Sequence, residues 1–339
     1  MLSRPTPSIL ALLLTVLALT ACGAPIASAP TPPPKAAVNI QLSWVHEYSS
    51  SPFYAAEKNG RFAAQGLEVS LLEGGFKDSQ VIDGLDQVLA GEADLGVTSA
   101  SRLLQARAAG KPVVAVAALF QRSPLAILSL DKTGIQRPQD LIGKRVAVAE
   151  DGAKIAYLAL LAGQGLDESK ITTILREGFG IEPLASGKVD ALVAWRINEG
   201  VMLSEAGLTP NIMMFSDYGV ETYDLVLFTT EKQIVERPDL IQRVVTAVMQ
   251  GTQDVLDNPE QAVQYTLVYN NKLDSVGQLR RLQASLPLIN PAGSKPGRMQ
   301  VEVWQSTQQL LIDYKILQQP VDLKAAYTTR FLDAILGTQ

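Results

Sequence analysis

The sequence predicts an α/β chain folded as two similar lobes, each a mostly parallel sheet with helices on both faces. Three observations carry that prediction. Strand-like and helix-like segments alternate from Val38 to Thr229, the pattern of a sheet covered by helices on both sides. The alternation also repeats. Gln65-Gly66-Leu67-Glu68, a strand, Glu73-Gly74-Gly75-Phe76, a helix and Gly91-Glu92-Ala93-Asp94 stand in the first half. Gln164-Gly165-Leu166-Asp167, a strand, Glu177-Gly178-Phe179-Gly180, a helix and Gly187-Lys188-Val189-Asp190 echo them in the same order. Beyond Thr229 the spacing of apolar residues turns almost wholly helical, which supplies cover for the first lobe. The expected division is residues 38–122 with 226–339 for one lobe and 123–225 for the other. A ligand cleft is expected between them, because pockets favour domain interfaces.

Taken in order, Val38 to Trp44 alternates apolar and polar residues like a short strand. Ser51 before Pro52 reads as a hydroxyl N-cap ahead of a proline in the first turn, and Gly60 closes that helix. Leu67 to Leu72 is a second strand with Gly74-Gly75 as its turn. From Asp78 to Ala90, the apolar Val81, Ile82, Leu85, Val88 and Leu89 predict one amphipathic helix that stops at Gly91. Ala93 to Val97 is a strand, Thr98 to Ser101 a cap-rich turn into a helix ending at Gly110, and Pro112 to Phe120 a buried parallel strand. In the second lobe Leu125 to Leu130, Gly143 to Val148 and Ala191 to Trp195 read as strands, Pro138 to Leu141 as a helical turn, and Glu150 to Ala153 as a helix start. Tyr223 to Thr229 returns the chain to the first lobe. Helices follow over Pro238 to Asn258, Pro259 to Val268, Ser275 to Leu286, Met299 to Tyr314 and Tyr327 to Leu336.

The N-terminus reads as an address. Arg4 precedes an apolar run from Ile9 to Leu19 that ends in Leu19-Thr20-Ala21-Cys22. A membrane span needs ~20 apolar residues, so residues 1–21 are expected to be a cleaved secretory signal. The small residues before Cys22 look like a bacterial lipobox, which implies cleavage there and lipid on the cysteine sulfur. An ordinary signal peptide with an unrelated cysteine is the alternative. Cys22 is the sole cysteine, so no disulfide forms within the chain. The Ala, Pro, Thr and Ser tract that follows reads as a flexible tether over residues 22–37. The expected location is the extracytoplasmic side of the cell membrane, held by the lipid.

Composition then narrows the chemistry. The formal net charge is −5, and no three basic residues stand in succession, which argues against nucleic acid as a partner. One histidine and one cysteine leave no zinc-type constellation, and no carboxylate cluster has calcium-loop spacing. GxSxG, P-loop and GxGxxG motifs are absent, and a Ser-His-Asp triad would have only His46 to use. Binding is therefore expected rather than catalysis, with no metal and no cofactor.

Several motifs carry a family resemblance: the lipobox, Tyr54-Ala55-Ala56-Glu57-Lys58 leading to Gly66-Leu67-Glu68-Val69, the turns ending in Asp94 and Asp190, and Asp140-Leu141-Ile142-Gly143-Lys144-Arg145-Val146. Together they span nearly all of the mature chain. It resembles the solute-binding lipoproteins of bacterial ABC importers, which implies the two-lobed periplasmic-binding-protein architecture of type II. Leu42-Ser43-Trp44, Pro291-Ala292-Gly293, Trp304, Pro320-Val321-Asp322 and Phe331-Leu332 resemble the group that binds thiamine pyrimidine precursors and riboflavin. Gln41 to His46 looks most like the riboflavin branch. The resemblance implies capture of riboflavin in the cleft and delivery to permease and ATPase subunits, by a monomer. A pyrimidine precursor, or a sulfonate- or nitrate-type anion met by Arg122, Arg145 or Arg196, is the alternative ligand. The pyrimidine branch has proline and asparagine where this chain has His46 and Glu47, and histidine where it has Ser50. In the related yeast pyrimidine synthase that histidine supplies product atoms, so Ser50 argues against an enzyme.

A flat heterocycle needs aromatic faces and a few fixed hydrogen-bond groups. Trp44, Tyr48, Trp195, Tyr218 and Tyr223 are the candidate faces, Trp44 and Trp195 at equivalent-looking cleft edges; packing in the core is the alternative for each. His46 is either a ligand donor or a solvent-facing loop residue. Glu47, Glu150, Asp151 and Asn198 are candidate polar partners, or simply solvated. Ser99 and Ser101 precede a helix, where free N–H groups bind oxygen; plain N-capping is the other reading.

Overall fold

Two five-stranded sheets carry the molecule. The computed structural model describes residues 1–2, 35–77, 80–82, 84–149, 152–176 and 180–337. In chain order the strands are β1 (Ala36–Gln41), β2 (Leu67–Leu72), β3 (Gly75–Lys77), β4 (Gln80–Ile82), β5 (Leu95–Thr98), β6 (Val113–Ala118), β7 (Leu125–Leu130), β8 (Arg145–Val148), β9 (Thr172–Leu175), β10 (Ala191–Trp195), β11 (Pro210–Met214) and β12 (Val226–Thr230). One sheet has the order β2-β1-β5-β12-β6, the other β11-β7-β10-β8-β9, and β3 and β4 form a separate hairpin.

Read from its other edge, the second sheet runs β9-β8-β10-β7-β11 and matches the first strand for strand. Each begins with three parallel strands. A reversed strand follows, antiparallel to both of its neighbours. The chain passes between the sheets twice, from β6 to β7 and from β11 to β12. The reversed strand in each sheet is the one laid down just after a crossing. It enters from the edge where its neighbours end, so it must run against them.

The sequence echo has a physical basis in two clamps. Asp94 accepts from the Asn39 N–H at 2.9 Å, its own N–H donates to the Asn39 carbonyl at 2.9 Å, and Arg237 pairs with its carboxylate at 2.7 Å. Asp190 does the same to Arg145: backbone N–H to carboxylate at 2.8 Å, backbone return at 2.8 Å, and the Arg145 guanidinium on the carboxylate at 2.8 Å. Each aspartate locks the start of the middle strand to its parallel neighbour. Gly91 and Gly187 precede them at φ +81° and +77°, a left-handed turn that a Cβ disfavours.

Several expectations are corrected. β1 opens at Ala36, two residues inside the segment expected as tether, and ends at Gln41. The single helix expected from Asp78 to Ala90 is the β3–β4 hairpin followed by a helix over Gly84–Ala90. Adjacent β-branched Val81 and Ile82 favour the strand. The N-cap of the Ser51–Lys58 helix is Ser50, and the Ser51 hydroxyl meets Thr266 at 3.0 Å instead. β6 is wholly buried as expected but pairs with the reversed β12. β11 was not anticipated. It opens on Pro210 at the sheet edge, where a missing N–H is tolerated.

The larger core joins the first sheet to the C-terminal helices Pro238–Asp257, Pro259–Tyr269, Ser275–Ile289 and Val301–Asp313. At Gly251 a side chain would collide with the Pro52 carbonyl and Ala56. Glycine there lets the Pro238–Asp257 and Ser51–Lys58 helices touch backbone to backbone. Smaller cores lie on the two faces of the second sheet.

Candidate ligand-binding site

The site is built from the segments that follow β1 and β10, joined by one C-terminal helix. At the end of β1, buried Gln41 donates to the carbonyls of Leu42, Leu72 and Glu73 at 3.0–3.2 Å. This ties β1 to β2 where their ladder stops. Gly74 packs against the backbone beyond it: a Cβ there would lie 2.6 Å from the Leu42 carbonyl oxygen. The chain then turns through a 3₁₀ segment, Tyr48–Ser50, capped by Glu47, whose carboxylate accepts from the Ser49 N–H and hydroxyl. Tyr48 is buried, and its N–H donates to the Gln278 side chain at 2.8 Å.

On the other side, β10 ends at Trp195 and runs into a π-helical turn, Arg196–Gly200. Such wide turns are uncommon and gather at functional sites. A buried ion pair supports this one. Arg176 and Glu199 meet at 2.5 Å with side chains 4% and 3% exposed. The other Glu199 oxygen accepts from the Trp195 N–H at 3.2 Å, and Arg176 also donates to the Val193 and Gly180 carbonyls. Trp195 stays partly exposed, its ring 6.2 Å from that of Phe120. Asn198 accepts from Arg281 Nε at 3.0 Å.

The electrostatics follow from burial. Loss of water pushes the Glu47 carboxyl up to about 7, opposed by the Ser49 donors and by Arg281. Burial likewise raises the Tyr48 phenol well above its ordinary value, reinforced by the carboxylates of Glu47 and Glu199. Tyr48, Glu47, Glu199 and Arg281 thus share one neighbourhood, although they lie in three separate parts of the chain. Their mutual contacts hold the turn after β10 in place and leave the Trp195 indole as the open face, which suits a flat ring.

The other expected residues are distributed unevenly. Trp44 is partly buried, and its carbonyl accepts from Gly74 N at 3.0 Å. It follows β1, whose counterpart is β8, whereas Trp195 follows β10, the counterpart of β5. The two tryptophans are therefore not equivalent. His46 is half-buried: its Nδ1 shares a 2.9 Å hydrogen bond with Tyr54, and its ring packs on Tyr54 and Tyr269. Burial lowers its pKa, against the pull of Glu73. Ser99 caps the Ala100–Ala108 helix, accepting from Arg102 N at 3.3 Å, and bonds Ser101 at 3.0 Å. Both serines keep some exposure. Tyr218 is half-buried against the second core.

Tyr223 is 1% exposed, its oxygen accepts from Gln300 N at 2.8 Å, and its ring meets Trp304 edge-on. It packs into the larger core and borders a cavity at the crossing that Arg122, Ser123 and Gln300 also line. Arg145 is committed to Asp190. Glu150, Asp151 and Cys22 lie outside the described residues. Gln278, Arg281, Glu199 and Arg176 were missed. They carry no motif and lie 23 to 230 residues from the partners that define them.

Two five-stranded sheets joined by two chain crossings make the two-lobed periplasmic-binding-protein fold. The fold matches the periplasmic aliphatic sulphonate binding protein SsuA from Escherichia coli with a TM-score of 0.66 and 18% identity, over 85% of this chain and 91% of that one. The chain belongs to the NMT1/THI5 like family, whose model matches residues 48–262. It is 27% identical to the riboflavin-binding protein RibY of Chloroflexus aurantiacus, over 94% of this chain and 96% of that protein. It is 26% identical to the formylaminopyrimidine-binding protein of Halalkalibacterium halodurans, over 95% and 98%. No helix among the described residues is long and apolar enough to cross a membrane.

Proposed function

We propose that this protein captures riboflavin between its two lobes and hands it to the permease of an ABC importer, without catalysing a reaction. A lipid on Cys22 holds it as a monomer at the extracytoplasmic face of the membrane, and residues 38–122 with 226–339 close against 123–225. The observation that carries the ligand is the near end-to-end similarity to a riboflavin-binding relative, over 94% of this chain. The chemistry agrees. The open face of Trp195 suits a flat isoalloxazine, and stacking adds about 0.5–1.5 kcal/mol beyond burial. Ser99, Ser101 and Asn198 offer partners for ring carbonyls and chain hydroxyls.

A thiamine pyrimidine precursor is the second reading, favoured by the 26% identity to a formylaminopyrimidine-binding protein. His46, Glu47 and Ser50 stand against it, as departures from the pyrimidine pattern, and Ser50 stands against a synthase. A titration separates the two ligands. Stacking on an indole quenches flavin emission, so adding protein to riboflavin should dim its fluorescence to a plateau. No quenching and no thermal shift with riboflavin, together with a raised Tm on adding a pyrimidine precursor, would replace the first reading with the second.

A further inference from the structure

The helix Ser275–Ile289 belongs to the core of the first lobe but touches both walls of the site. Gln278 holds the Tyr48 N–H at 2.8 Å on the first-lobe side. One turn later Arg281 reaches the second lobe, donating from Nε to Asn198 at 3.0 Å and from its terminal nitrogen to Glu205 at 3.1 Å. Residues three apart share a helix face, so both contacts project from one side of the helix. Arg281 is 14% exposed and Glu205 24%, which limits screening by salt. The neighbouring Arg280 meets the same carboxylate at 3.5 Å but is 56% exposed. Asn198 lies in the π-helical turn that also follows Trp195, so whatever holds Asn198 sets the position of that indole.

We infer that Arg281, through Asn198 and Glu205, is a closure latch: a positioning residue that fixes the second-lobe wall against the first before the ligand arrives. The inference rests on the solute-binding reading and does not depend on riboflavin. A guanidinium suits the task, since its planar fork serves two acceptors at once, which a lysine ammonium does with less geometric definition. The affinity of a site assembled from two walls falls with the fraction of molecules in which both are in place. The latch therefore acts on affinity through that fraction, without touching the ligand.

The test uses the full chain and two readouts. Hydrogen exchange of the 195–205 segment, without ligand, reports whether the second-lobe wall is held; riboflavin fluorescence reports affinity. In Arg281→Gln and Glu205→Gln the segment should exchange faster, and the affinity should fall about tenfold, as expected for a lost hydrogen bond to a charged group. Arg281→Lys should restore part of both. Arg280→Gln should leave both near wild type, because its pair is long and exposed. Unchanged exchange in Arg281→Gln, or equal effects from Arg280→Gln, would overturn the latch. If exchange rises as expected while riboflavin fails to bind the wild type, the ligand reading falls and the latch stands.

Discussion

Replacing Glu47 by glutamine should flatten the acid side of the stability profile. Burial raises this carboxyl from 4.5 to about 7, so the folded protein keeps a proton that the unfolded chain releases. The contribution of the group is fully present below about pH 4.5 and is lost as pH rises through about 7. A shift of about 2.5 units corresponds to about 3 kcal/mol at 1.36 kcal/mol per unit. Partial solvent access to the side chain reduces this to between about 1 and 3 kcal/mol. Glutamine is neutral throughout and keeps a carbonyl for the Ser49 donors. Urea unfolding at steps from about pH 4.5 to about 7.5 should give matching free energies for variant and wild type at the acid end. The variant should be the more stable by that margin at the neutral end. All other titrating groups are common to both proteins, so the difference profile isolates Glu47. Parallel profiles, or a wild type that gains on the variant as pH rises, would refute the argument.

Removing one partner of the Arg176–Glu199 pair should be costly: Arg176→Met should lower the unfolding free energy by about 3–5 kcal/mol, and Arg176→Met with Glu199→Leu by much less, as read by denaturant titration. Trp195→Ala should weaken riboflavin binding about tenfold in the fluorescence assay while changing Tm little. Trp304, fully buried and stacked on Tyr327 at 5.0 Å, should behave oppositely, with Trp304→Ala costing about 3–5 kcal/mol of stability. Cys22→Ser should leave the protein soluble or uncleaved in membrane fractionation; normal processing with retention at the membrane would contradict lipid attachment.

What the sequence determined by itself is whatever depends on neighbours in the chain. Leu67–Leu72, Leu125–Leu130 and Ala191–Trp195 are strands over the residues that their apolar patterns mark. Pro138–Leu141 is the helical turn that its proline announces. The repeated turn ending in aspartate was legible because the clamp it forms is local to one strand start and occurs twice. The site was legible only in part. Trp195 and Asn198 were marked by their place after a strand, since strand ends open into the cleft of such sheets. Tertiary structure decided the rest. It packed Tyr223, Trp304 and Tyr327 against one another, and it turned His46 onto Tyr54. It also laid one strand of each sheet, just after a crossing, against both of its neighbours. Gln278 and Arg281 acquire their meaning only through tertiary contacts. Their partners Tyr48 and Asn198 lie 230 and 83 residues away, and no periodicity or motif links residues whose only relation is contact in the folded chain.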